Sequence, residues 1–206
     1  MELLLLLVLA HVLADFPLQT PAIVEDKCRG RWQGYLNHGA IHFSLLVILT
    51  FPYLSWAIAA VWVVLPALHI FLDWVKNRLI PVGHTADTAS FLLDQLFHLM
   101  LIFLVWQATS APANSQVLSA VSSLVSLGGD RDLMITLLEK INIQGLLATA
   151  IVYGYVLFGG AVLIRKFLGS KSLALSCHEN SCRSTLQVGR YIGILERAII
   201  LTLTLM

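Results

Sequence analysis

The chain returns repeatedly to stretches of about twenty apolar residues almost free of charge, the length an α-helix needs to cross a bilayer core. Such stretches run at about 2–19, 35–53, 55–79, 88–108, 143–167 and 187–206, each closed by proline, glycine or charged residues. They predict an all-α fold, a polytopic transmembrane helix bundle of about six spans. Composition agrees: 12% of residues are charged and 58% hydrophobic, roughly half the charged fraction of a soluble domain. With 206 residues, the chain is expected to form a single membrane domain with no room for a further soluble one of ordinary size. Its parts would be a four-helix core over 1–108, an extracytoplasmic amphipathic linker over 109–142, and two further spans over 143–206. The linker opens on TSAPANSQ and continues with Val117, Leu118, Val121, Leu124 and Val125 at helical spacing, the pattern of an interfacial helix.

A net charge of +1 gives no reason to expect a nucleic-acid partner. Cys28, Cys177 and Cys182 are too few for a disulfide framework. The opening MELLLLLVLAHVLADF has no basic leader and no small-residue cleavage site, so it is expected to be a retained span. Basic residues set the orientation, because cytoplasmic loops collect them. With the N-terminus outside, the inner side receives Lys27, Arg29, Arg31, Lys76, Arg78, Arg165, Lys166, Lys171, Arg183 and Arg190, and the outer side keeps Arg131 and Lys140. The expected location is therefore an inner membrane, crossed several times, with the lipid bilayer as the principal partner.

Ionisable residues inside spans are costly and mark functional sites by default. Here they come in pairs: His11 and Asp15, His38 and His42, His69 and Asp73, Asp94 and His98, every pair four residues apart. That spacing puts both side chains on one helix face, where imidazole and carboxylate reach one ion. Random placement of the His and Asp residues would give roughly 0.7 such pairs by counting over this neighbour relation. Antiparallel spans then bring all four pairs to one depth, the cytoplasmic third of the bilayer. The eight groups could hold a divalent metal, with zinc the first choice, as one ion with hydrogen-bonded outer partners or as two ions bridged by carboxylate. A membrane histidine can also serve as a helix-to-helix hydrogen bond or proton relay, and a His–Asp pair can neutralise itself. Four pairs at one depth favour the metal. Haem fits less well, since three of these histidines have a carboxylate one turn away.

Around the cluster, Gln19 is expected to continue the face of His11 and Asp15 by another turn, and Lys76 to snorkel toward the interface. In the last span Arg190, Glu196 and Arg197 are candidates, with Gln19, for contacts to an anionic substrate group. Cys177, His178 and Cys182 lack a zinc-knuckle spacing and a fourth ligand, and His84 reads as a solvated loop histidine.

The segments HVLADFPLQ at 11–19, NHGAIH at 37–42, HIFLDWVK at 69–76, DQLFH at 94–98 and GRYIGILERAIIL at 189–201 resemble an uncharacterised bacterial family of integral-membrane proteins, classed only as a domain of unknown function. The set is also distantly similar to membrane-bound metal-dependent hydrolases, whose helices carry His/Asp ligand pairs. That likeness implies a bound divalent metal and hydrolysis, and names no substrate. The resulting expectation is a zinc-type hydrolase acting on a lipid or lipid-linked, phosphate-bearing substrate at the cytoplasmic leaflet. Imidazole ligands would come from His11, His38, His42, His69 and His98, and Asp15, Asp73 and Asp94 would include the catalytic carboxylate. A transporter or channel passing metal ions or protons through the same residues is the alternative.

Overall fold

The computed structural model describes residues 1–79, 88–109, 112–117, 119, 142–170 and 179–205, with backbone alone for 167–170 and 179–191. Every regular element among them is helical. In chain order these are α1 (Glu2–Asp15), α2 (Pro21–Cys28), α3 (Trp32–Thr50) with a 3-10 turn (Phe51–Tyr53), α4 (Trp56–Leu79), α5 (Thr88–Ala108), α6 (Ile143–Gly154), a π-turn (Tyr155–Gly159), α7 (Gly160–Ser170) and α8 (Glu179–Leu205). Four segments are long and apolar enough to cross a membrane, as a membrane protein requires: Trp32–Tyr53, Trp56–Leu79, Thr88–Ala108 and Ile143–Lys166. The expected linker falls largely outside the described residues, as do His84, Cys177 and His178.

Helix α1 differs most from expectation. It stops at Asp15, 14 residues long, which at 1.5 Å per residue is only about 21 Å. Pro17 is the reason, because it has no N–H with which to continue the helical ladder. What α1 lacks in length it compensates in centrality: Leu3, Leu7, Ala10, His11, Val12 and Ala14 are all buried, and α3, α5 and α6 pack around it. Close approach to α6 depends on Gly154, where a Cβ would fall 2.4 Å from Val12 Cγ1.

The chain then turns into α2, started by Thr20 and Pro21. Thr20 Oγ1 accepts from the Ile23 amide at 3.4 Å, and proline occupies the first turn, where its missing N–H costs nothing. Ile23 and Lys27, one turn apart, are the buried face of this short helix. They dock on α3 at Gly34, where a Cβ would sit 2.8 Å from both Asp26 Cβ and the Lys27 amide nitrogen, and 2.9 Å from the Ile23 carbonyl. Two backbones can approach this closely only over glycine.

Toward the opposite end of the bundle, Leu7, Leu46, Ile58, Leu65 and Ile102 form an apolar core between α1, α3, α4 and α5. Thr50 is fully buried there, donating to the Leu46 carbonyl at 2.7 Å and accepting from Trp62 Nε1 at 2.8 Å. Beyond this core Tyr53 donates to Glu2 at 2.9 Å, beside a cavity of about 620 Å³.

Candidate metal centre

Between the apolar core and the α2 end of the bundle, α1, α3, α4 and α5 each bring one His/Asp or His/His pair to the same level. Each pair sits one turn apart on the face its helix turns inward, so the sequence spacing alone aims both groups at the centre. His11, His38, His42, His69 and His98 are 0–4% exposed. Asp15 lies at the middle of them. Its Oδ1 is 3.0 Å from His42 Nε2, 3.3 Å from both His38 Nε2 and His69 Nε2, and 3.7 Å from His11 Nδ1. The imidazoles also crowd one another: His38 Nε2 is 3.0 Å from His69 Nε2 and 3.2 Å from His42 Nε2.

Hydrogen bonds alone cannot satisfy this arrangement. Asp15 Oδ1 and the Nε2 atoms of His38, His42 and His69 make five contacts of 3.0–3.3 Å. Each Nε2 brings at most one proton, so at least two contacts set lone pair against lone pair or proton against proton. A cation at the centre removes the conflict by accepting every lone pair. Around zinc, with ligand bonds of 2.0–2.1 Å, neighbouring ligands of a tetrahedron lie about 3.3 Å apart, close to the spacing found here. Groups comprising His11, Asp15, His42 and His69, or His38, His69 and Asp73, or Asp73, Asp94 and His98 could hold a metal ion.

The eight pair residues are therefore brought together, but not equivalently. Asp73 Oδ2 is bonded by Lys27 Nζ, and Asp73 Oδ1 lies 3.5 Å from Lys76 Nζ. Lys76 donates to Asp94 Oδ2 at 2.9 Å. The result is an alternating chain, Lys27, Asp73, Lys76, Asp94, along the α2 side of the histidines, leaving Asp15 as the carboxylate with imidazole neighbours and, among the described residues, no lysine bonded to it. Lys76 thus does not snorkel outward: buried carboxylates on two helices hold it.

Lys27 is the residue the sequence reading missed. It belongs to the loop between two spans, where a lysine reads as an orientation signal, yet it is 5% exposed. The available signal was local: Thr20–Pro21 starts a helix, and Ile23 and Lys27 then share its face. Gln19 also reaches the site, but not by prolonging α1. With its amide oriented to meet complementary partners, it donates to the Asp15 carbonyl at 3.0 Å and accepts from Lys27 Nζ at 2.8 Å.

Of the last-span candidates, Glu196 and Arg197 are not part of this cluster. Glu196 is exposed. Arg197 donates to the Leu157 carbonyl at 3.3 Å, inside the π-turn, where the helical hydrogen-bond ladder is locally disturbed. The side chain of Arg190 lies outside the described residues. That π-turn begins at Tyr155, a second residue the sequence did not single out. Its hydroxyl is buried without a hydrogen-bond partner among the described residues, its ring meets Phe16 edge-on at 5.6 Å, and Asp15 is the carboxylate within electrostatic reach.

No curated protein and no solved structure matches the chain. Residues 3–126, which hold α1 to α5 and the whole His/Asp cluster, match the family described as protein of unknown function (DUF3307), and the chain belongs to that family.

Proposed function

We propose that the chain is a membrane-embedded, metal-dependent hydrolase of the zinc type, acting on a lipid or lipid-linked substrate at the cytoplasmic leaflet of a bacterial inner membrane. The proposal keeps six spans and an outside N-terminus, with the basic α2 end facing the cytoplasm. The observation that carries it is the convergence of three imidazole Nε2 atoms and Asp15 Oδ1 at 3.0–3.3 Å, closer and more numerous than their protons can satisfy. His38, His42, His69 and Asp15 would hold the ion. A metal so bound acts as a Lewis acid and brings the pKa of a coordinated water toward neutrality. Asp73 and Asp94, the remaining carboxylates, would take or return the proton. Lys27 and Lys76 are matched by Asp73 and Asp94, so an anionic substrate group would need a cation from elsewhere. Arg190 keeps its role as a candidate for the same group on sequence grounds.

The transporter reading is disfavoured by what lies beyond the histidines. A conducting path needs polar groups or water through the bundle, whereas Leu7, Leu46, Ile58, Leu65 and Ile102 close the next layer. The test is hydrolysis of phospholipid and lipid-phosphate substrates in mixed micelles by purified protein. The expected result is product release that a chelator abolishes and added zinc restores. Metal flux through proteoliposomes without hydrolysis of any lipid offered would overturn the enzyme in favour of transport.

A further inference from the structure

Five imidazoles converge on the centre, and the ion proposed above uses three of them. His11 and His98 are left over, both 1% exposed. His98 Nδ1 lies 2.8 Å from the Asp94 carbonyl oxygen. A carbonyl can only accept, so Nδ1 carries the proton and Nε2 presents a lone pair. This is the orientation that an outer hydrogen bond imposes on a metal-binding histidine. His98 Nε2 has no partner among the described residues, and neither ring nitrogen of His11 has one. The two rings lie 5.5 Å apart, 22° from parallel.

Both rings line a small cavity, together with His42 and His69. Its free space is about 10 Å³, the volume of about one water or one ion. Leucine and isoleucine side chains form its remaining walls. Asp15 is reached through His11, whose Nδ1 lies 3.7 Å from Asp15 Oδ1. Asp15 Oδ1 serves His38, His42 and His69, while among the described residues its Oδ2 meets only a long contact from Gln95 Nε2, at 3.4 Å.

We infer that His11, His98 and Asp15 form a second divalent-cation site, with Asp15 bridging it to the ion held by His38, His42 and His69. This inference rests on the metal reading above. Three protein ligands leave open positions on the second ion, facing the cavity, where a water or a substrate oxygen can bind. Lys27 and Lys76 match the charges of Asp73 and Asp94, so Asp15 is the one unmatched carboxylate of the cluster. Two dications sharing one carboxylate repel each other, and the second ion therefore binds more weakly than the first.

The experiment titrates purified, metal-free full-length protein with Co(II), which shares zinc's acceptance of imidazole. Equilibrium dialysis counts the bound ions, and electron paramagnetic resonance detects magnetic coupling between them. Wild type is expected to bind two ions in separate steps and to give a coupled pair at saturation. His11→Ala and His98→Ala are each expected to bind one ion, uncoupled, with the first step preserved. One uncoupled ion in wild type, or two ions in both variants, overturns the second site and leaves the first intact. No bound ion in wild type overturns the metal reading itself. The wild-type count decides the matter even if a variant fails to fold.

Discussion

Replacing Lys27 by methionine removes a charge from one of the most buried ion pairs in the molecule, since Lys27 and Asp73 are each 5% exposed. Breaking a buried pair by deleting one partner costs about 3–5 kcal/mol, mainly because the remaining charge is stranded. Asp73 is not wholly stranded here, because Lys76 Nζ remains 3.5 Å from its Oδ1 and can move closer. Lys76 is itself a third exposed and shared with Asp94, so its compensation is partial. The expected loss for Lys27→Met is about 2–3 kcal/mol. Asp73→Asn strands Lys27 in turn, and Lys27→Met with Asp73→Asn removes both charges together. The double variant should be less destabilised than the sum of the single ones by at least about 1.5 kcal/mol. Unfolding free energies from SDS titration in mixed micelles measure this cycle. Additivity within about 0.5 kcal/mol would refute the pairing, and with it the docking of α2 against α4. The double variant should also retain its tightly bound metal, because Asp15 and not Asp73 is the carboxylate at the centre of the imidazoles.

Three further outcomes follow from the packing. Gly34→Ala should destabilise the protein by about 1–3 kcal/mol, because its methyl group meets backbone atoms of α2; an unchanged unfolding midpoint would contradict this. Thr50→Val should cost about 1–3 kcal/mol by leaving Trp62 Nε1 without its acceptor, visible as a shift in tryptophan emission and a lower unfolding midpoint. Tyr155→Phe should raise stability by up to about 1–2 kcal/mol, since it deletes a buried hydroxyl that has no partner among the described residues; a loss of similar size would show that the hydroxyl is bonded in the membrane.

The His/Asp cluster was legible because its signal is doubly local. A four-residue spacing fixes the helix face, and alternation of span direction fixes the depth, so His11, Asp15, His38, His42, His69, Asp73, Asp94 and His98 could be brought together without tertiary information. What the carboxylates do there was not legible. Asp15, Asp73 and Asp94 look alike in sequence, each one turn from a histidine. They are separated by a lysine on a loop helix, delivered through the contact of Gly34 with Ile23, Asp26 and Lys27. Contacts of that kind depend on where a loop folds back, which hydrophobic periodicity does not encode. The end of α1 was misjudged because apolar Phe16 and Leu18 extend the hydropathy run past Asp15, although Pro17 already announces the stop. Tyr155 carried no signal, since a phenol among apolar residues reads as ordinary span packing until the π-turn and the unpartnered hydroxyl are seen.

The most direct test of the account is the metal content of the purified protein, measured by elemental analysis per chain. Wild type is expected to retain at least one equivalent of zinc after exhaustive dialysis, and His42→Ala to lose it, because His42 Nε2 makes the shortest of the imidazole contacts to Asp15 Oδ1, at 3.0 Å. Wild-type protein that retains no stoichiometric metal, or His42→Ala and Asp15→Asn proteins that both retain it, would contradict the metal centre.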